Sequence, residues 1–92
     1  MVTVLIKRKL VPDNQGKLTI LYHKMHEAAL AKGGYLGSEI LKRTDAENQV
    51  LVISRWENID KWTHWLVSAE RMHLQDQIDA ITSEDTKFEI YE

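Results

Sequence analysis

All three tryptophans of this chain, Trp56, Trp62 and Trp65, fall within ten residues. Clustered indoles supply broad apolar surface with an N–H handle, the material of a pocket wall or an interface. Groups that could move protons or hold an anion lie elsewhere. Tyr22 and His26 stand one helical turn apart, His73 follows the tryptophans, and Lys7-Arg8-Lys9 forms a basic strand end. An imidazole takes and returns a proton at neutral pH. A lysine projecting under the helices could stabilise an enolate. The combination offers an apolar pocket edged by groups able to take a proton or hold an anion. Trp65, His73 and Lys7 are the catalytic candidates, and Tyr22, His26 and Trp62 the candidates for holding the substrate.

Other chemistries lack their residues. There is no Gly-rich phosphate loop, carboxylate pair or nucleophile motif. His23 and His26, with Glu27, have the spacing of a helical metal pair, but His23 points off the buried arc. No metal site is therefore expected there. His64 falls opposite the apolar face of its helix and is assigned to solvent.

The elements that must position these groups come from a small chain. Ninety-two residues make one domain, 1–92. A chain of this size buries only about 60–65% of its unfolded surface, so its stability is marginal. With no cysteine, neither disulfides nor thiolate metal sites can add to it. Oligomerisation is the remaining common route. A net charge of −2 provides no basic field for nucleic acid. The first residues have their charges after the apolar run, the wrong order for a signal peptide, and no apolar stretch approaches membrane-spanning length. A soluble cytoplasmic protein is expected.

Strand-like and helix-like patterns alternate along the chain. Val2 to Leu10 is β-branched and apolar, then basic, and Pro12 ends it. Asp13 or Asn14 can cap a helix in which Leu18, Leu21, Tyr22, Met25, Ala28 and Ala29 share one arc. Gly33 can take the left-handed conformation of a helix end. Tyr35 to Lys42 is a second strand, with Gly37 a candidate bulge. Gln49 to Trp56 is a third. Asn58 caps a helix whose buried face holds Ile59, Trp62, Trp65 and Leu66, and Ser68 restarts it for Leu74, Ile78 and Ile81. Thr86 to Tyr91 closes the chain as a strand. The order βαββαβ is the ferredoxin-like split βαβ pattern, an α+β fold with a four-stranded antiparallel sheet.

One pattern goes further. A sheet with one solvated face alternates apolar and polar residues. Val4-Leu-Ile6 and Val50-Leu-Val-Ile53 are apolar on both faces. Helices cover one face, so a second copy is expected to cover the other, giving a homodimer with sheets face to face.

With this order and the tryptophan window, the chain resembles the antibiotic biosynthesis monooxygenase (ABM) family of the dimeric α+β barrel superfamily. The resemblance is carried by Val52-Ile-Ser-Arg-Trp56, Trp62-Thr-His-Trp-Leu-Val-Ser68, and Ser68-Ala-Glu-Arg71 leading to Phe88-Glu-Ile-Tyr91. It implies a cofactor-independent monooxygenase acting with O₂ on a flat aromatic or quinol-like molecule. It also brings in haem-degrading relatives, in which Trp65 would lie against the porphyrin. Those relatives use an Asn on the first strand and a His on the second helical region. Here Lys7 and Lys9 stand for the Asn and Gln75 for the His, with His73 two residues early. Haem breakdown is therefore not expected.

Two readings stand beside the oxygenase. One is a non-catalytic dimeric protein of the same fold that binds a small molecule or serves in stress. The other is a haem-binding relative. Oxygen uptake with quinols separates the first, and a Soret shift on haem titration the second.

Overall fold

Every second residue of the first strand is buried, and this alternation fixes how the rest of the chain packs. In the computed structural model, which describes residues 1–92, strand β1 (Val2–Lys9) turns Val2, Val4, Ile6 and Arg8 inward. Helix α1 spans Gln15–Leu30, strand β2 Tyr35–Lys42 and strand β3 Gln49–Trp56. Helices α2 (Ile59–Leu66) and α3 (Ala69–Asp79) precede strand β4 (Lys87–Tyr91). The sheet order is β2-β3-β1-β4, and every neighbouring pair is antiparallel. This is the α+β, ferredoxin-like arrangement expected from the sequence. No helix is long and apolar enough to cross a membrane.

Local chemistry sets the helix ends. The Asn58 side chain accepts from the Lys61 backbone N–H at 2.9 Å and starts α2. Ser68 both ends α2 and starts α3. Its hydroxyl donates to the Trp65 carbonyl at 2.8 Å and accepts from the Arg71 N–H at 3.3 Å. Asn14 departs from its expected role. Its amide donates to the carbonyls of Val11 and Pro12, tightening the turn before α1 rather than capping the helix. Ile59 is also corrected: it is 42% exposed. It is the first residue of α2 and lies on the Leu66 side of the helix, the shallow edge of the buried arc.

After α1 the chain reverses through Gly33 and Gly34, both at φ 79°. The Gly34 carbonyl accepts from the Glu57 N–H at 2.8 Å, tying the start of β2 to the end of β3. A Cβ at Gly34 would run into the stem of Lys61. Gly34→Ala is therefore expected to lower stability by about 1–3 kcal/mol through the strained backbone and the clash. A urea midpoint equal to that of the wild type would show that the turn relaxes freely.

The buried residues form two clusters. One holds Val2, Val4, Ile6, Ala29, Val52 and the three tryptophans. The other holds Leu10, Leu18, Leu21, Val50, Leu74, Ile78 and Ile81. Ile6 of β1 belongs to the first and Leu10, just beyond the strand's end, to the second, and Arg8 stands between them. The core is interrupted there by a charge.

Candidate functional site

A cavity of about 50 Å³ lies where the two clusters meet, between the sheet and the helices. Leu18 and Ile78 line it from one cluster, and Ile6, Val52 and the tryptophans from the other. Trp56 occupies the middle of the aromatic wall. Its ring centroid lies 5.9 Å from that of Trp62 and 6.0 Å from that of Trp65, the latter nearly parallel at 26°. Trp62 and Trp65 are both buried, as α2's amphipathic arc requires. Phe88 on β4 lines the cavity and is itself 37% exposed, so its ring stands between the cavity and solvent. The space as it stands fits a few water molecules. A flat aromatic ring needs lining side chains such as Phe88 to turn aside.

One end of the cavity carries a chain of hydrogen-bonded polar groups. His26 Nδ1 lies 2.6 Å from the Tyr35 hydroxyl, and that hydroxyl lies 2.5 Å from Ser38 Oγ. Ser38 Oγ is in turn 2.9 Å from the Tyr22 hydroxyl. When Tyr35 donates to Ser38, it accepts from His26 Nδ1–H. With all donors reversed, His26 accepts from Tyr35 instead. A chain satisfied in both directions can pass a proton along its length. Burial holds the Tyr35 phenol above its ordinary range, with its Ser38 hydrogen bond opposing that shift, so it stays protonated at neutral pH. Tyr22 and His26 come from the margin of the buried arc of α1, where both are half-buried, and their rings stack at 6.5 Å.

Tyr35 and Ser38 were not among the sequence candidates. Simple alternation along β2 places Ser38 and Ile40 inward and Tyr35 outward. A register shift between Tyr35 and Gly37 reverses this for Tyr35, which pairs with the inward Trp56. Leu36 is left 53% exposed. The bulge at Gly37, φ 133°, thus delivers the phenol to the cavity.

The other end is cationic. Arg8 is only 7% exposed, and its Nη2 donates to Gln75 Oε1 at 3.3 Å. Arg71 Nη2 donates to the same oxygen at 3.4 Å, and Arg71 Nη1 to the Leu66 carbonyl at 3.0 Å. The Arg71 guanidinium lies 5.4 Å from the Phe88 ring centroid. Burial first, then the neighbouring Arg71 charge, draw Arg8 down to about 10, with Asp79 opposing. Burial likewise lowers Arg71. Both remain charged at neutral pH.

These placements correct three expectations. Lys7 faces the opposite side of the sheet from the helices, where it pairs with Glu89 at 3.2 Å. Lys9 shares that side and pairs with Glu84. The alternation that buries Val2, Val4 and Ile6 brings Arg8 inward and turns both lysines out. His73 is exposed on α3, because the buried stripe of that helix runs through Arg71, Leu74 and Ile78. It has no access to the cavity. The inward β1 position thus holds Arg8, and Gln75 is bound to it, so neither position offers the Asn or the His of the haem-degrading pattern.

The antibiotic biosynthesis monooxygenase family model matches residues 1–77. The chain belongs to that family. No curated protein matches the sequence of this ABM member. Among solved structures, it is similar to SnoaB, a cofactor-independent oxygenase from Streptomyces nogalater, with 12% identity and TM-score 0.87, covering 99% of this chain and 90% of that one. It is similar to Rv0793 from Mycobacterium tuberculosis with 14% identity and TM-score 0.85, covering 99% and 92%. A conserved protein from Methanosarcina mazei gives 13% identity and TM-score 0.88, covering 98% and 89%. Identities this low carry the fold and leave the chemistry to the site.

Proposed function

We propose that residues 1–92 act as one cofactor-independent monooxygenase domain, oxidising a flat aromatic or quinol-like molecule with O₂ in the cytoplasm. The observation that carries this reading is the His26–Tyr35–Ser38–Tyr22 hydrogen-bonded chain opening onto a tryptophan-walled cavity. A phenolic or benzylic substrate bound against Trp65 and Trp62 would lose a proton to this chain. Its delocalised anion is the electron donor to O₂, so the substrate supplies every electron. For a methylene flanked by aromatic rings the balance is R₂CH₂ + O₂ → R₂C=O + H₂O. The protein contributes proton transfer, orientation and a dry, apolar surround. Tyr22, His26 and Trp62 keep their proposed substrate-holding roles and Trp65 its place against the reacting ring. Tyr35 and Arg8 replace His73 and Lys7 as the polar groups of the reaction.

The working unit in this proposal is a homodimer. On the sheet face away from the helices, Leu5, Leu51 and Ile53 are partly exposed, and Leu41 and Tyr91 are about half exposed. They are framed by the Lys7–Glu89 and Arg55–Glu39 ion pairs. An apolar centre with a paired polar rim suits a second copy of the same sheet.

The test is oxygen uptake with a panel of anthrones and quinols, using ¹⁸O₂ to follow the label. One labelled oxygen in the product is expected. Tyr35→Phe, which breaks the proton chain and keeps the ring, should lower kcat by about 100-fold, the low end for general acid–base catalysis. No uptake with any member of the panel, despite measurable binding, would replace this reading with that of a non-catalytic binding protein of the same fold.

A further inference from the structure

We propose that Arg8 and Arg71, bridged by Gln75, form an anion subsite, so that the molecule occupying the cavity is a flat aromatic bearing a carboxylate or an ionised enol. The inference rests on the cavity described above but needs no turnover.

The donors at this end far outnumber the acceptors. Two guanidinium groups offer ten N–H bonds. The hydrogen bonds they make end on one shared amide oxygen, that of Gln75, and on the Leu66 carbonyl. Arg8 Nε is sealed from solvent with no acceptor at all. Trp62 Nε1, on a side chain lining the same cavity, is also sealed and unpartnered. None of the five ion pairs of the molecule includes either arginine. Asp79 acts on both arginines through its charge but makes no ion pair with either, and Gln75 Nε2 donates to its Oδ1 at 2.8 Å. Thr86 Oγ1 also accepts from that nitrogen, at 3.3 Å.

A buried cation without a carboxylate is costly to a folded chain. Here two stand side by side at the edge of an apolar cavity, and the acceptor they share is neutral. An oxyanion entering the cavity would give Arg8 Nε its missing partner and cancel the excess charge. Arginine suits this task because its planar fork binds two oxygens at once. The opposite end, with His26, Tyr35, Ser38 and Tyr22, holds no arginine, lysine or carboxylate side chain. The cavity is therefore polarised, with its aromatic wall between a proton-passing end and an anion-holding end. That layout selects an aromatic molecule with an acidic oxygen at one edge.

Isothermal titration calorimetry with 2-naphthoate and its uncharged isostere 2-naphthamide tests the subsite directly. Wild-type protein should bind the carboxylate about 10- to 100-fold more tightly, the range for hydrogen bonds to a charged group. Arg8→Met should bring the two ligands to within about twofold of each other by losing carboxylate affinity and keeping amide affinity. Should Arg8→Met fail to fold, Arg71→Met must reduce the same preference. Arg8→Lys must retain part of it. A third ligand, 2-hydroxy-1,4-naphthoquinone, whose enol is ionised at neutral pH, separates the two sources of the oxyanion. Tighter binding than 2-naphthoate assigns the subsite to an enolate, and weaker binding assigns it to a carboxylate. Equal wild-type affinity for naphthoate and naphthamide, a preference that survives both Met variants, or no binding of either ligand would overturn the proposal. Oxygen uptake is read separately: a preserved preference without uptake would end the oxygenase reading and leave the anion subsite standing.

Discussion

Val52→Lys is expected to unfold the chain, whereas its neighbour Ile53→Lys should leave a folded monomer. Val52 is 5% exposed and pairs across the sheet with Ile6 on one side and Ile40 on the other. A lysine there must bury its ammonium among apolar side chains or push the strand out of the sheet. Losses above about 4 kcal/mol arise from buried unpaired charges of this kind. At about 0.05–0.15 kcal/mol per residue, the whole stability of a chain this size is of comparable magnitude. Ile53 lies one residue further on and faces the other way, between Leu5 and Glu39. A charge there costs the single chain little and places two ammonium groups in the proposed dimer interface. Circular dichroism should show lost structure for Val52→Lys only, and sedimentation velocity a monomer for Ile53→Lys against a dimeric wild type. A wild-type protein that sediments as a folded monomer at micromolar concentration would remove the dimer from the proposal.

The same alternation explains what the sequence revealed about the site and what it concealed. Apolar periodicity located all seven elements, the capping residues Asn58 and Ser68 marked the start of α2 and the break between α2 and α3, and Gly37 marked the bulge. The margin of the α1 arc brought out Tyr22 and His26, and the centre and edge of the α2 arc brought out Trp62 and Trp65. Arg8 was passed over because a charged residue reads as solvated, although the parity of Val2, Val4 and Ile6 already placed it inside. Arg71 stands three residues before Leu74 on the stripe that continues to Ile78, so helical spacing also placed it inside. In both positions periodicity and residue chemistry conflicted, and periodicity prevailed because a long side chain can follow its backbone inward. Such conflicts between levels are expected where a site is built. Tyr35 is different. Its direction depends on a one-residue register shift, and nothing in the local pattern says on which side of Gly37 the shift falls. His73 misled for a related reason: its residue type suggested chemistry while its place off the α3 stripe put it in solvent.

Trp65→Ala should cost about 3–5 kcal/mol, the range for deleting a buried aromatic side chain. Trp65 is 5% exposed and lies nearly parallel to Trp56, so its removal strips one face of a second indole as well. The space it leaves joins an existing cavity, and the surrounding sheet and helices can close only part of it. Added indole should then restore stability, because a ligand that binds only the folded state adds RT ln(1 + [L]/Kd). Apolar cavities left by deleted side chains do take up small aromatic molecules. Trp65→Phe is the control. It keeps a ring against Trp56 and most of the apolar volume, and should cost less than about 1.5 kcal/mol. Its effect should appear instead in ligand affinity, since a shorter ring no longer completes the cavity wall. Urea unfolding followed by the fluorescence of the two remaining tryptophans measures the stabilities. Naphthoate titration of Trp65→Phe measures the wall. If Trp65→Ala proved nearly as stable as the wild type and indifferent to indole, the indole of Trp65 would be lying on the surface rather than closing a cavity. If Trp65→Phe lost stability heavily while binding naphthoate unchanged, Trp65 would be ordinary core, and the substrate would have to be held by Trp56 and Trp62 alone.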